Sequence, residues 1–162
     1  HGGSLRVFGC HAQDPRPDAP AVQEILQLEL SNGLQELTTY TNFQTKADRV
    51  KDELLSFLLE QKKAGKTVAA YGAAAKGNTL LNYAGVKTDL LPMVADAAKA
   101  KQGKYMPGSH IPIVPPDRLK SLQPDFLLIL PWNIATEVKS QNQDLTLSGT
   151  RFVTAVPFLS IE

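Results

Sequence analysis

The chain has 162 residues, of which 43% are hydrophobic and 20% are charged, and its formal net charge is +1. This length suits one domain that buries a core without disulfides or metals. The near-neutral charge gives no reason to expect a nucleic-acid or membrane partner, and the lone Cys10 excludes an internal disulfide and a cysteine-rich zinc site. We expect a cytoplasmic protein, since no segment has the apolar length of a transmembrane helix.

The first part of the chain is predicted to hold a strand followed by helices. Residues 4–10 have the composition of a strand, and because the chain begins at His1 without Met we expect a piece of a longer protein. Prolines clustered in residues 15–20 indicate a loop, after which a helix begins at Pro20. Apolar residues at three- and four-residue steps then predict a long helix over residues 35–63, which packs on a core or on a neighbouring domain.

From residue 65 onward, strands and helices alternate. Five segments are predicted as strands, at residues 67–71, 91–95, 111–114, 125–130 and 151–156. This alternation predicts an α/β, Rossmann-like fold with a mainly parallel sheet and helices on both faces, preceded by the N-terminal strand and the long helix. We therefore expect a single α/β domain over residues 1–162, with residues 1–64 as a strand and helical lead-in and residues 65–162 as the core.

A glycine turn with small side chains joins the strand at residues 67–71 to a helix that we expect to open at Asn78. Backbone N–H groups and a helix N-terminus in such a turn attract an anion, which predicts phosphate binding. Glycine spacing is close to that of a P-loop, but Asn78 stands where a P-loop needs lysine, and Ala74 replaces a glycine of the dinucleotide fingerprint. The alternative is a tight turn whose small residues serve packing. The residues that would contact a phosphate are Gly72, Ala73, Ala74, Ala75, Lys76, Gly77 and Asn78.

Further candidate residues follow the later strands, at the end of the sheet where ligands bind. Asp96 lies 24 positions after Gly72, the approximate spacing at which an acid contacts a ribose hydroxyl, although a helix cap is an equal alternative. Trp132 and Asn133 are suited to cover and hydrogen-bond a ligand, unless Trp132 is a core anchor. The loop over residues 101–110 either flanks a diphosphate or is a solvated surface loop.

Several stretches of the chain carry a family resemblance when they are taken together. They are His1-Gly2-Gly3-Ser4-Leu5-Arg6, Tyr71 through Asn82, Lys101-Gln102-Gly103, Pro107-Gly108, Ile111-Pro112-Ile113 and Pro131-Trp132-Asn133. In this order they span most of the chain, which resembles the C-terminal domain of the S-adenosylmethionine-dependent sugar C-methyltransferases. These enzymes methylate nucleotide-linked keto-deoxysugars.

The resemblance implies a parent protein with an N-terminal zinc module, a central methyltransferase domain that holds S-adenosylmethionine, and this C-terminal domain. It implies no metal in this chain and a nucleotide-diphosphate sugar as substrate. By the same resemblance, His1 is a candidate general base that removes the proton next to a ketone, after which the enolate attacks the donor methyl.

The resemblance also divides the substrate among the candidate residues. Lys76 and residues 72–78 would take the diphosphate, and the nucleotide sugar would be enclosed with help from Lys101, Gln102, Tyr105, Pro107, Trp132 and Asn133. The sequence departs from the family pattern after Asp96, where Ala98-Lys99 replaces a polar residue and a proline. The identity of the sugar and of the nucleotide therefore stays open.

Two non-catalytic functions are alternatives to a role in methyl transfer. The first is a non-catalytic nucleotide-binding sensor, which needs only the glycine turn. The second is an interaction module whose long helix over residues 35–63 docks on a neighbour, and this function predicts an apolar stripe that stays exposed. As part of a methyltransferase, the isolated chain is expected to be inactive because it holds no donor-binding domain.

Overall fold

The computed structural model describes residues 5–162. It divides the chain into two compact units, residues 1–47 and residues 48–162. The first unit holds the helices α1 (Pro20–Ser31) and α2 (Leu37–Thr41) and the first residues of α3 (Phe43–Lys63). The predicted lead-in ends at residue 64, and the single α/β domain over residues 1–162 stays a prediction.

The first unit differs from the sequence-based expectation in two ways. Residues 5–10 form no strand, and Leu5, Val7 and Phe8 are 67%, 79% and 84% exposed. A strand is stable only when a neighbouring strand takes up its backbone hydrogen bonds, and strand-like composition alone supplies no neighbour. The expected single helix over residues 35–63 is two helices, α2 and α3, which are separated at Asn42.

The second unit is built on a six-stranded sheet with the order β3-β2-β1-β4-β5-β6. Strands β1 to β5 are parallel to their neighbours, whereas β6 is antiparallel to β5. The strand bounds are β1 (Val68–Tyr71), β2 (Val94–Ala95), β3 (Ile113–Val114), β4 (Phe126–Ile129), β5 (Arg151–Thr154) and β6 (Ser160–Ile161). The predicted mainly parallel sheet is confirmed, with β6 as an additional short strand.

Helices cover both faces of this sheet, as predicted. On one face, α3 and α4 (Ala75–Tyr83) pack over side chains that include Val68 and Ala70. On the other face, α5 (Asp117–Leu122), α6 (Ala135–Gln141) and α7 (Gln143–Leu147) cover Ala69 and Tyr71. Successive residues of a strand point to opposite faces, so every residue of β1 and β4 is buried.

The second half of α3 belongs to the core of the second unit. Leu54, Phe57 and Leu58 are buried there, and the Phe57 ring meets the Phe126 ring edge to face at a centroid distance of 5.2 Å. Within residues 5–162, no helix combines the length and the apolar character needed to cross a membrane. The cytoplasmic location stays a prediction.

Candidate functional site

The site predicted from the glycine turn lies where the order of the sheet reverses. After β1 the chain adds β2 and β3 on one side, and it then crosses to β4 and β5 on the other side of β1. In open α/β sheets, ligands bind in the crevice that such a reversal creates at the carboxyl ends of the strands. Residues 72–78 follow β1, and a 3-10 helix over Trp132–Ile134 comes soon after β4. The fold therefore brings two separately predicted segments to one crevice.

Helix α4 begins at Ala75, three residues earlier than predicted, so Lys76 lies in its first turn. Asn78 N–H donates to the Ala74 carbonyl at 2.9 Å and closes the first helical hydrogen bond. The N–H groups of Ala75, Lys76 and Gly77 precede this bond and have no acceptor among residues 5–162. Such unpaired donors at a helix start, together with the helix dipole, are suited to an anion.

Lys76 joins the two segments of the crevice. Its ammonium donates a hydrogen bond to the Asn133 side-chain oxygen and lies 4.7 Å from the centroid of the Trp132 ring. No described carboxylate forms an ion pair with it. Because its partners are a neutral amide and an aromatic face, the positive charge of Lys76 stays available to an anionic ligand. Trp132 is only partly buried and packs at the edge of the core.

Two glycines in residues 72–78 are explained by packing. Gly72 has a φ of +89°, and a Cβ built there would lie 2.5 Å from the Pro131 side chain. A Cβ on Gly77 would lie 2.6 Å from the Leu130 Cβ. The packing interpretation of the turn therefore accounts for both glycines, and it is compatible with open N–H groups in the same turn.

Asp96 follows β2, is 7% exposed and forms a hydrogen bond with the glycine turn at residues 72–78. Its Oδ2 accepts the N–H of Ala73 at 2.7 Å and the Lys101 ammonium at 3.1 Å, and its Oδ1 accepts the N–H of Ala98 at 2.8 Å. The Gln102 side chain donates to the Asp96 carbonyl at 2.9 Å. No helix begins at Asp96, so the alternative of a helix cap is wrong.

Among residues 5–162, the hydrogen bond and the ring contact of Lys76 do not involve the other residues predicted from the loop over 101–110, Tyr105 and Pro107. Tyr105 is 64% exposed, and no hydrogen bond or ring contact among residues 5–162 joins it to Lys76. The Pro107 carbonyl accepts from the Asn82 side chain at 2.9 Å, near the C-terminal end of α4. Tyr105 and Pro107 are therefore not brought into the group formed by Lys76 and the segment after β4.

Two residues near the crevice have notable polar groups, one without a hydrogen-bond partner and one with a raised pKa. Asn78 Oδ1 is buried and has no hydrogen-bond partner among residues 5–162, which leaves one acceptor open in the first turns of α4. Tyr71, which is not among the predicted site residues, ends β1 and is 8% exposed. Burial raises the pKa of its hydroxyl, the charge of Asp96 raises it further, and a hydrogen bond with Asn142 opposes both. The signal for Tyr71 is an aromatic residue directly before the glycine turn.

His1 lies outside the described residues, so its place relative to the crevice is not part of the site geometry. Within residues 5–162, no group of three or more His, Cys, Asp or Glu side chains is arranged to hold a metal ion.

Comparison with known proteins finds one domain family. A family model described as the C-methyltransferase C-terminal domain matches residues 1–157. Among curated proteins, C-methyltransferase NovU from Streptomyces niveus is 37% identical over 157 residues, which make up 97% of this chain and 37% of the relative. The chain therefore spans little more than a third of the length of this curated relative.

Proposed function

The chain belongs to the family of C-methyltransferase C-terminal domains, and from this premise we propose that it binds the substrate of an S-adenosylmethionine-dependent C-methyltransferase. The proposed substrate is a nucleotide-diphosphate keto-sugar, whose diphosphate binds at the start of α4. Methyl transfer is proposed for the whole parent protein, because the curated relative is much longer than this chain.

The observation that carries the proposal is the meeting of Lys76 with open N–H groups at the reversal point of the sheet. An ammonium group has three N–H donors, and the Asn133 side chain takes one of them. The remaining donors and the N–H groups of Ala75, Lys76 and Gly77 suit the oxygens of a diphosphate. Trp132 supports the same assignment, since its aromatic ring lies beside the charge and is only partly buried.

The proposed chemistry is proton removal followed by carbon methylation. A C–H bond next to a ketone is acidic enough to lose its proton to a positioned base, and we propose His1 for this role. Histidine has an unperturbed pKa near 6.5, so its imidazole is largely neutral at cellular pH and able to accept a proton. S-adenosylmethionine, held by the methyltransferase domain of the parent, would supply the methyl group that the enolate carbon attacks.

The methyltransferase domain of the parent is also the proposed partner of residues 5–47. Neither α1 nor α2 contains a buried residue. The exposed apolar side chains of this unit include Leu5, Val7, Phe8, Leu28, Leu37 and Phe43, each more than 60% exposed. Exposed apolar groups of this extent are characteristic of docking surfaces. This observation favours the interaction function for the first unit, alongside substrate binding by the second.

The test is isothermal titration of the chain with nucleoside diphosphates and nucleotide sugars, using the unchanged protein and Lys76→Ala. We expect binding that requires the diphosphate and that Lys76→Ala weakens by about 1.5–3 kcal/mol, the range for a hydrogen bond to a charged group. Lys63→Ala is the matched control, because it removes an exposed lysine in the last turn of α3, near the amino end of β1.

The outcomes of this titration separate the candidate functions. Equal affinity of Lys76→Ala and the unchanged protein would return residues 72–78 to a packing role. An equal loss in Lys63→Ala would show that the overall charge, rather than the crevice, governs binding.

A further inference from the structure

We propose that Asp96 is a positioning residue that fixes the backbone at the start of α4, so that the open N–H groups there are held ready for the diphosphate. This inference rests on the proposed function. It gives Asp96 a role that differs from the predicted contact with a ribose hydroxyl, because Asp96 would act on the ligand through Ala73.

Ala73 is bound through both of its backbone groups. Its N–H donates to Asp96 Oδ2 at 2.7 Å, and its carbonyl accepts the Lys101 ammonium at 3.0 Å. The same ammonium donates to Asp96 Oδ2 at 3.1 Å, so the three groups form a closed arrangement around Ala73 and the two peptide units that flank it. Ala74 follows as the N-cap of α4, and the three open N–H groups come directly after it. Fixing Ala73 therefore fixes the direction in which α4 begins.

Asp96 is itself held in place. Its backbone N–H donates to the Val114 carbonyl of β3 at 3.0 Å, and its carbonyl accepts from the Gln102 side chain at 2.9 Å. A carboxylate on a side chain that is only 10% exposed is costly unless its oxygens are hydrogen-bonded and its charge is balanced. Lys101 supplies the balancing charge. Lys101 and Gln102 are thereby assigned to the support of Asp96.

The hydrogen bonds of Asp96 explain why its effect on the ligand is indirect. Both carboxylate oxygens already accept N–H groups, three in total from Ala73, Ala98 and Lys101. An ionised carboxylate offers about four acceptor positions, so most of its capacity is used within the chain. A ribose hydroxyl that took the place of Ala73 would release the backbone on which the anion site depends.

Asp125 provides a matched comparison at the opposite end of the sheet. Its Oδ2 accepts the N–H of Thr67 at 2.8 Å, directly before β1, and its Oδ1 accepts the Lys66 ammonium at 2.8 Å. Asp96 and Asp125 thus each bind one backbone N–H beside β1 and one lysine. They differ in which end of the strand they hold, and only Asp96 is next to the open N–H groups.

The experiment compares Asp96→Asn and Asp125→Asn in the 162-residue chain with two measurements. The first is backbone amide hydrogen exchange of the four hydrogen-bonded N–H groups within residues 72–78, those of Gly72, Ala73, Ala74 and Asn78. The second is titration with inorganic pyrophosphate, which tests the anion site without a base or a sugar. In Asp96→Asn we expect exchange over residues 72–78 to rise about tenfold or more, and pyrophosphate affinity to fall by a similar factor. Asp125→Asn is expected to leave both quantities close to those of the unchanged protein.

Each outcome bears on one of the two proposals. Unchanged exchange over residues 72–78 in Asp96→Asn, or an equal loss of pyrophosphate affinity in Asp125→Asn, overturns the positioning role. Failure of the unchanged protein to bind pyrophosphate overturns the proposed diphosphate site, while the exchange measurement still decides what Asp96 does. If Asp96→Asn does not fold, Asp96→Glu takes its place, since it keeps the charge that balances Lys101 and moves the carboxylate away from the Ala73 N–H by one methylene group. Unchanged exchange in Asp96→Glu then contradicts the inference.

Discussion

At the residue scale, the glycines after β1 have definite steric causes. Gly72 has a positive φ and lies in close contact with the Pro131 ring. Glycine is needed there for two reasons, because other residues rarely adopt this φ and because a Cβ would collide with the ring. Gly77 is different, because it lies inside α4 with an ordinary helical φ and is buried against Leu130. In such a position alanine would improve helix propensity while adding a methyl group that has no room.

We predict that Gly77→Ala destabilises the protein despite the better helix propensity of alanine. A Cβ at 2.6 Å from the Leu130 Cβ forces α4 or β4 to shift, which costs about 1–3 kcal/mol by the usual range for overpacking. Urea denaturation measures the change. Thr79→Ala, on the exposed side of the same helix, is the control and should be close to neutral. A Gly77→Ala protein at least as stable as the unchanged chain would contradict the steric explanation.

At the scale of secondary-structure elements, carboxylates hold both ends of β1. Asp96 binds the turn after the strand, and Asp125 binds Thr67 before it. The Lys66 ammonium lowers the pKa of Asp125, and the N–H of Thr67 lowers it further. Asp125 precedes β4, whose residues pair with those of β1 in parallel register, so this carboxylate joins the amino ends of the two central strands.

We predict that Asp125→Asn lowers stability at neutral pH and that this loss disappears in acid. The folded state favours the ionised carboxylate, so its contribution is present above the unfolded pKa of about 3.9 and is lost as the pH falls through the lower folded pKa. The effect at pH 7 should stay within about 0.5–1 kcal/mol, because the Asp125 side chain is 36% exposed and solvent screens the pair.

The measurement is the free energy of unfolding of both proteins between pH 3 and pH 7. We expect the two curves to converge toward the acid end. A difference that stays constant over the whole range would mean that the amide changes packing rather than charge.

At the scale of the whole molecule, the two units differ in how many of their side chains are buried. Residues 48–162 bury a core on both faces of the sheet, including the second half of α3. Residues 5–47 place no residue of α1 or α2 in a buried position. The apolar stripe predicted over residues 35–63 is therefore divided, with Leu37 and Phe43 exposed and Leu54 buried. Core packing accounts for the buried part of that stripe, and docking on a neighbour stays a proposal for the exposed part.

We predict that the isolated chain transfers no methyl group from S-adenosylmethionine to a nucleotide-linked keto-sugar. The proposed division of labour places the donor in another domain of the parent, so the isolated chain supplies substrate binding alone. Formation of S-adenosylhomocysteine, followed by mass spectrometry, measures the reaction, and the complete parent protein is the positive control. Turnover by the isolated chain would disprove this division.

Local patterns in the amino-acid sequence are sufficient to predict the class of fold and the position of the main turn. Short apolar runs such as those at Val68–Tyr71 and Phe126–Ile129, alternating with helical segments, are local patterns that predict buried parallel strands. Residues 72–78 were recognisable for the same reason, since glycine, small residues and one lysine are neighbours in the chain. Residues 5–10 show the limit of such patterns, because a strand also requires a partner that composition does not supply.

The contacts between side chains that are distant in the sequence depend on how the chain folds. Lys76 contacts Asn133 across 57 positions of sequence, and Ala73 contacts Asp96 across 23. These pairs form because parallel strands bring their carboxyl ends to one edge of the sheet, whereas the choice of hydrogen-bond partner there depends on the exact position of each backbone. Asp96 was thus predictable as a residue of this edge, but its bonds to Ala73 and Lys101 depend on the packing of segments that are distant in the chain.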